Sequence, residues 1–475
     1  MAPVDDVEMR DLAKLCALLA VVAVAACGGD SNTLPDGPPG GPDATRTPDA
    51  PPVTTATVVV SQENFEADPG APIEDAGVAV IAPGGGAPVM FTTNATGTAT
   101  FPVEPGSAVW VQVPVLGSTP GLVPGVGSGS GQLYLITSVS PGDTIALGAP
   151  RRSTGSAAGT LTLRYTPLTG SEYGFFHDAL MEQTSCYDYG VETVPGTIDF
   201  TTYDGCAAPS RELVITAYDL VTGAPAAWLT VPGVAPVPGT IDASTATWDT
   251  TGTMYTVNHT GHDAAVYSAN TYVFSGDSWH SIYQNGPIDA GTGTHSQRGP
   301  TLPTPALAVT QLHANTAMSQ YVAEPLATIP ASYDIDGSAL LPFIDVADYD
   351  PATRTITWAT PIAGTVAPQI VTSTFSYFDD VDSTQYRWTI YAPGDTTELV
   401  LPDVPDVLTT HDLQPLDRTY PDIWLINVEG SSYSTLLNGL DLYRDDPAFD
   451  LPATAKSLLS GGYGGGKFRR GRPGR

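Results

Sequence analysis

The sequence predicts an all-β protein: tandem β-sandwich domains behind a disordered N-terminal tether. Three observations predict it. Glycine (49) and proline (44) together make about a fifth of the 475 residues, too many for helical bundles or coiled coils. Short β-branched runs recur between Gly- and Pro-rich breaks, at the spacing of sandwich strands. A set of aromatic landmarks repeats at an offset of about 100–110 residues, the size of one sandwich domain. Hydrophobic content of 42% and aromatic content of 8% oppose wholesale disorder. The balance of 50 acidic against 18 basic residues leaves a formal charge of −32, which excludes a nucleic-acid binder of the usual basic kind.

The first element is residues 1–26. Arg10 and Lys14 precede an apolar run from Leu15 to Ala26, with small residues at its end. A basic start, about a dozen apolar residues and a small-residue cleavage point describe a secretion signal, too short to span a bilayer. Val24-Ala25-Ala26-Cys27, followed by Gly28-Gly29, resembles the lipobox of bacterial lipoproteins. The resemblance implies that Cys27 becomes the first mature residue, carries the lipid and anchors the chain to a membrane. Gly28, where an Asp often retains such proteins at the inner membrane, leans the expectation to the outer membrane or cell surface. Asp5, Asp6 and Glu8 are unusual in a signal, so Met9 competes with Met1 as the start. Removal of the signal leaves a mature charge of −30. Residues 27–55 form the tether: Gly28 to Pro52 holds five glycines and seven prolines without strand or helix periodicity.

Residues 56–150 form the first β unit. Val58-Val59-Val60, Val78-Ala79-Val80-Ile81 and Val109-Trp110-Val111-Gln112-Val113 are its strand signals. In the last, period-2 alternation places Val109, Val111 and Val113 on one face and Trp110 and Gln112 on the other. The stretch Thr92-Thr93-Asn94-Ala95-Thr96-Gly97, then Thr98 to Phe101, then Pro105-Gly106, resembles the carboxypeptidase regulatory-like, or transthyretin-like, module over about 60 residues. That resemblance implies a β-sandwich and is silent on activity. The expected class is therefore Ig-like or transthyretin-like sandwiches in tandem.

Residues 157–240 form a second sandwich. Gly159 to Tyr165 and Glu212 to Tyr218 alternate cleanly. Between them stand Cys186 and Cys206, the last two cysteines once Cys16 leaves with the signal and Cys27 is lipidated. In an exported protein they are expected to pair as a disulfide closing a loop of about 20 residues, worth roughly 3 kcal/mol. The competing reading is two free or metal-bound thiols.

Residues 241–345 and 346–455 read as two copies of a β repeat. Asp242 to Trp248 resembles Asp350 to Trp358, and each is followed by an aromatic strand, Asn270 to Phe274 and Ser373 to Tyr377. Each copy reaches a second tryptophan, Trp279 after 31 residues and Trp388 after 30. The tryptophans are expected as core anchors. Residues 456–475 read as a disordered basic tail, with five of the 18 basic residues in the last nine positions.

Catalytic motifs are few. No phosphate loop, Gly-x-Ser-x-Gly elbow or His-Glu-x-x-His helix occurs, and lysine is absent from Leu15 to Ala455. His259-Thr-Gly-His262, with Asp263 adjacent and His280 nearby in sequence, is the best histidine metal candidate, set against an ordinary surface turn. Asp334-Ile-Asp336-Gly337 and Asp379-Asp380-Val381-Asp382 are weak calcium candidates. The expected role is a lipid-anchored envelope protein used non-enzymatically for adhesion, scaffolding or ligand binding, with an envelope polysaccharide or protein as partner and no nucleic acid. The alternative is a secreted hydrolase or carbohydrate-binding protein with its site in loops between sandwiches.

Overall fold

Valine, isoleucine and threonine runs broken by Gly and Pro produce strands almost throughout a computed structural model of the chain. The structure describes residues 54–62, 71–113, 132–149, 157–168, 175–180, 190–203, 211–219, 225–235, 237–275, 278–281, 286–300, 306–314, 318–345, 347–378, 385–405, 408, 418–438 and 455–463. All belong to one unit, Val53–Arg475.

The first module contributes β1 (Thr55–Gln62), β2 (Gly77–Ile81), β3 (Val89–Thr92), β4 (Thr98–Pro102), β5 (Ser107–Val113), β6 (Gln132–Val139) and β7 (Thr144–Ala149). A three-stranded sheet, β4-β1-β7, faces β6-β5-β2-β3. Val58, Val60, Phe101, Val109, Val111, Ile136 and Leu147 fill the space between. Val109, Val111 and Val113 share this core, and Trp110 lies in a different one, as alternation requires. The Thr92–Gly97 turn is tied to the end of β1 and to the segment between β1 and β2. The Thr93 hydroxyl donates to the Ile73 carbonyl (2.7 Å) and accepts from the Ala76 N–H (2.9 Å). The Asn94 side chain accepts from the N–H groups of Thr96 (2.9 Å) and Thr98 (3.2 Å). Gly97 has φ +70° and sits against the Val60 carbonyl, where a Cβ would overlap it.

The second module is one seven-stranded sheet made of β8 (Ala157–Tyr165), β9 (Phe175–Leu180), β10 (Gly190–Val194), β11 (Thr197–Tyr203), β12 (Arg211–Asp219), β13 (Pro225–Val234) and β14 (Gly239–Ala243). Leu161 and Leu163 from β8, Ile198 and Phe200 from β11, Leu213 and Ile215 from β12, and Leu229 from β13 share one core. The module runs past the expected boundary at 240, because β14 pairs in parallel with β8 from Gly239 to Ala243. Trp248 belongs here too. Its indole N–H donates to the Thr166 carbonyl (2.8 Å) and its ring meets Tyr165 edge-on at 5.9 Å.

The third module holds β15 (Thr253–Thr260), β16 (Ser268–Ser275), β17 (Ser278–Ser281), β18 (Gly286–Pro287), β19 (Gly293–Gly299), β20 (Ala306–His313), β21 (Met318–Leu326) and β22 (Ser332–Asp336). The fourth holds β23 (Ala347–Asp350), β24 (Thr355–Trp358), β25 (Ile370–Phe378), β26 (Gln385–Pro393), β27 (Glu398–Val400), β28 (Arg418–Val428), the short helix α1 (Tyr433–Leu437) and β29 (Ser457–Tyr463). Small sheets β19-β15-β22 and β23-β24-β27 cover one face. The two aromatic strands occupy like positions: β16 lies between β17 and β20, and β25 between β26 and β28. The first tryptophans of the proposed repeat do not. Trp248 packs on the second module, and Trp358 pairs with Ala347 in the fourth.

Three modules share one sheet. Its path is β17-β16-β20-β21-β29-β28-β25-β26-β6-β5-β2-β3, with β18 beside β16, thirteen strands in all. The first module joins the fourth through parallel pairing of β6 with β26, from Gln132↔Arg387 to Ile136↔Tyr391. Both faces are buried near this junction. On β28, Ile423 and Leu425 enter one core while Trp424 and Ile426 enter the other. Helix α1 locks the joint. Leu436 and Leu437 enter the first module's core. The Tyr433 hydroxyl donates to the Thr137 carbonyl (2.6 Å), and Ser434 bonds to Asp143. Ser432 caps α1, accepting from the Thr435 N–H (3.2 Å).

Strand β29 corrects the expectation of a disordered tail beginning at 456. Ser457–Tyr463 lies in the middle of the long sheet, antiparallel to both β21 and β28. Gly461 pairs with Trp424, whose indole lies across it where a Cβ would stand. A glycine that reads as a turn in sequence is here the gap that an aromatic ring fills.

Candidate functional site

Polar chemistry concentrates at one end of sheet β19-β15-β22. On β15, period 2 places Tyr255, Val257 and His259 on the inward face, and Tyr255 and Val257 enter the module core. His259 continues that face at the sheet's end and is 2% exposed. Antiparallel pairing sets Gly293 opposite His259 and His295 opposite Val257. Gly293 leaves room for the imidazole of His295, since a Cβ there would stand 3.2 Å from its Nε2. On the other side, parallel pairing sets Ile335 beside His259 and Asp336 beside Thr260.

Beyond Thr260 the chain reverses at Gly261, with φ +71°. His262 folds back over Gly337, where any side chain would collide with the ring. The His262 N–H donates to the Gly291 carbonyl (3.2 Å). His262 is 7% exposed and His295 is half-buried. The His259 ring centre lies 5.4 Å from that of His262 and 5.4 Å from that of His295.

Nδ1 of His259, both ring nitrogens of His262 and Nε2 of His295 are buried without a hydrogen-bond partner. Leaving a buried polar group unpaired costs about 1–3 kcal/mol, so such groups are normally satisfied by protein, water or an ion. Burial pushes all three imidazoles below the ordinary histidine value. His259 is lowered to about 3, first by burial and then by its two histidine neighbours. The Asp336 charge pulls His262 the other way without reversing it. At neutral pH the three rings are therefore uncharged, the form in which imidazole offers a lone pair.

The structure thus brings together the two histidines of the sequence motif and buries them, in place of a surface turn. It adds His295, which sequence reasoning missed. His280 falls on β17, in the long sheet rather than this one. The Asp263 carboxylate accepts from the Ala265 N–H (2.8 Å) and so shapes the following turn. The calcium candidates on β22 are engaged locally. Asp334 accepts from the Asn258 amide (2.7 Å), and Asp336 accepts from the Ser338 N–H (2.9 Å). Among the described residues no three or more His, Cys, Asp or Glu side chains are placed, as they stand, to hold a metal ion. Cys27, Cys186, Cys206, Asp379, Asp380 and Asp382 lie outside the described residues. In sequence Cys186 falls between β9 and β10, and Cys206 between β11 and β12.

A small apolar cavity of about 20 Å³ lies beside this region, under Tyr255, Val257, Val273, Leu326 and Tyr333. That is room for roughly one water. Among the described residues no helix is long and apolar enough to cross a membrane.

No family model matches the chain, and no curated protein matches it. Among solved structures it is similar to the Bacillus anthracis TIE protein at 12% identity and a TM-score of 0.15, over 60% of this chain and 50% of that one. It therefore spans about half the length of that protein. It is also similar to the FN1–FN3 domains of chicken CNTN1, at 9% identity and a TM-score of 0.12, over 57% of this chain and 93% of that one. A tetra-tandem repeat in the extending region of a large adhesion protein matches at 11% identity and a TM-score of 0.10, over 78% of this chain and 95% of that one. Likenesses this slight carry no argument about what this chain does.

Proposed function

We propose that the chain is a lipid-anchored cell-envelope protein at the outer membrane or cell surface, whose sandwich modules adhere to, scaffold or present a ligand without enzymatic turnover. The observation that carries this reading is the sheet shared by three modules. Modules strung on linkers reorient freely, whereas modules hydrogen-bonded into one sheet hold their outer loops at fixed separations. A surface that must present several loops to one extended partner needs that fixed geometry. The lipobox-like Val24-Ala25-Ala26-Cys27 supplies the attachment, and the Gly/Pro-rich stretch to Pro52 supplies the standoff. The partner class is an envelope polysaccharide or a protein ligand.

Attachment is tested with Cys27→Ser in cells fed labelled palmitate. Wild-type protein is expected to carry label, fractionate with membranes and yield to protease added to intact cells. The variant is expected to keep its signal and carry no label. A variant that matures and fractionates as wild type does would sink the anchor and with it this reading.

A further inference from the structure

The geometry points to a binding site for one divalent transition-metal ion of the zinc, nickel or copper class, held by His259, His262 and His295 at the end of sheet β19-β15-β22. It is independent of the proposed envelope role.

Four ring nitrogens are buried without partners in three imidazoles, with His262 and His295 each beside His259. A neutral ring keeps its N–H on one nitrogen and offers a lone pair on the other, so the three rings supply three donors. Imidazole nitrogen suits zinc, copper and nickel, whereas calcium and magnesium take oxygen. The spacing fits. A metal–nitrogen bond of about 2.1 Å with the nitrogen about 1.1 Å from its ring centre puts two rings on a tetrahedral ion roughly 5.2 Å apart. Both ring pairs around His259 stand at 5.4 Å. The rings are tilted by 48° and 52° and their nitrogens do not yet meet at one point. Rotation about χ2 turns a histidine nitrogen while leaving its ring centre nearly in place, and that torsion is broad and soft. Ring rotation rather than backbone movement therefore completes the set.

The backbone is already arranged around the rings. Register places Gly293 directly across from His259, and His295 two residues further along β19 on the same face. Gly261 turns the chain so that His262 returns, and Gly337 makes the space its ring occupies. The fourth position falls to water, since the Asp336 carboxylate, whose charge acts on His262, is held by the Ser338 N–H. Because the ligands come from β15, the turn after it and β19, the ion would tie the start of β19 to the end of β15, a structural role.

The test uses the full chain without a polyhistidine tag, freed of metal and kept in millimolar calcium so that surface carboxylates do not trap the probe. Zinc is titrated and bound metal is counted after dialysis. Cobalt(II) is titrated separately and its visible absorption recorded. Wild type is expected to retain one zinc per chain, to give the intense cobalt bands of a tetrahedral site and to melt about 2–5 °C higher with zinc. Binding by His259→Gln and by His295→Gln should weaken at least a hundredfold. His295, half-buried, keeps the test open if the His259 variant fails to fold. His313→Gln, which alters a half-buried histidine on β20, should bind as wild type does. The proposal falls if wild type retains no stoichiometric zinc, or if the His295 variant binds zinc as tightly as the His313 variant.

Discussion

Ending the chain after Lys456 is expected to leave no soluble folded protein, although it removes only Ser457–Tyr463 and the residues beyond. The loss strips β21 and β28 of their common neighbour and splits the long sheet in its middle. Leu458 is 5% exposed and Leu459 is fully buried, and they enter opposite cores. Exposing or deleting two such side chains forfeits about 3–6 kcal/mol. The ladder bonds on both sides add about 1 kcal/mol each, and the strand groups left unpaired inside the fold cost more. The sum reaches the whole stability of an ordinary domain, about 5–15 kcal/mol. Circular dichroism and sedimentation of the truncated chain check it. A soluble truncation with an unchanged melting temperature would show that β29 is dispensable. Leu459→Ala provides a graded version, with an expected loss of about 2–5 kcal/mol.

Trp388→Ala is expected to destabilise the protein by about 3–5 kcal/mol, measured by urea unfolding. The indole is 2% exposed and meets the fully buried Trp110 edge-on, with ring centres 5.4 Å apart and planes at 85°. The two residues sit on β26 and β5, on either side of β6, so their contact spans the joint between the fourth and first modules. A double-mutant cycle with Trp110→Ala is expected to give a coupling of about 0.5–1.5 kcal/mol, the usual worth of an aromatic pair beyond its buried area. Additive losses would mean that the edge-on contact contributes nothing beyond the area each indole buries. On the other face of the same joint, Tyr134 stacks on Tyr391 at 6.5 Å and 8°, so the junction is aromatic on both sides.

What the sequence made legible follows from local periodicity. The face of Val109, Val111 and Val113 and the strands at Gly159–Tyr165 and Glu212–Tyr218 all rest on patterns within ten residues. Long-range pairing does not. Nothing near Gln132 or Arg387 marks those residues as neighbours, because parallel pairing leaves no turn between the strands. Strand β29 was hidden for a different reason. Ser460-Gly461-Gly462 reads as a break, and only Trp424, more than thirty residues earlier, makes Gly461 a strand residue. At the candidate site, His259 and His262 were visible as a spaced pair. His295 was not, since its place depends on the β15–β19 register. Burial of the pair was likewise invisible, because it depends on the glycine at 337 that receives the His262 ring. Trp248 misled through composition: its Thr/Ala-rich surroundings match those of Trp358, yet a bond to Thr166 ties it to the preceding module.

The central claim is that three modules are one hydrogen-bonded sheet, and amide hydrogen exchange of the full chain tests it most directly. Peptides covering Ser457–Tyr463, Gln132–Val139 and Gln385–Pro393 are expected to exchange together, slowly, and only through global unfolding. Fast exchange of Ser457–Tyr463, or protection of Gln132–Val139 that is lost independently of Gln385–Pro393, would contradict it.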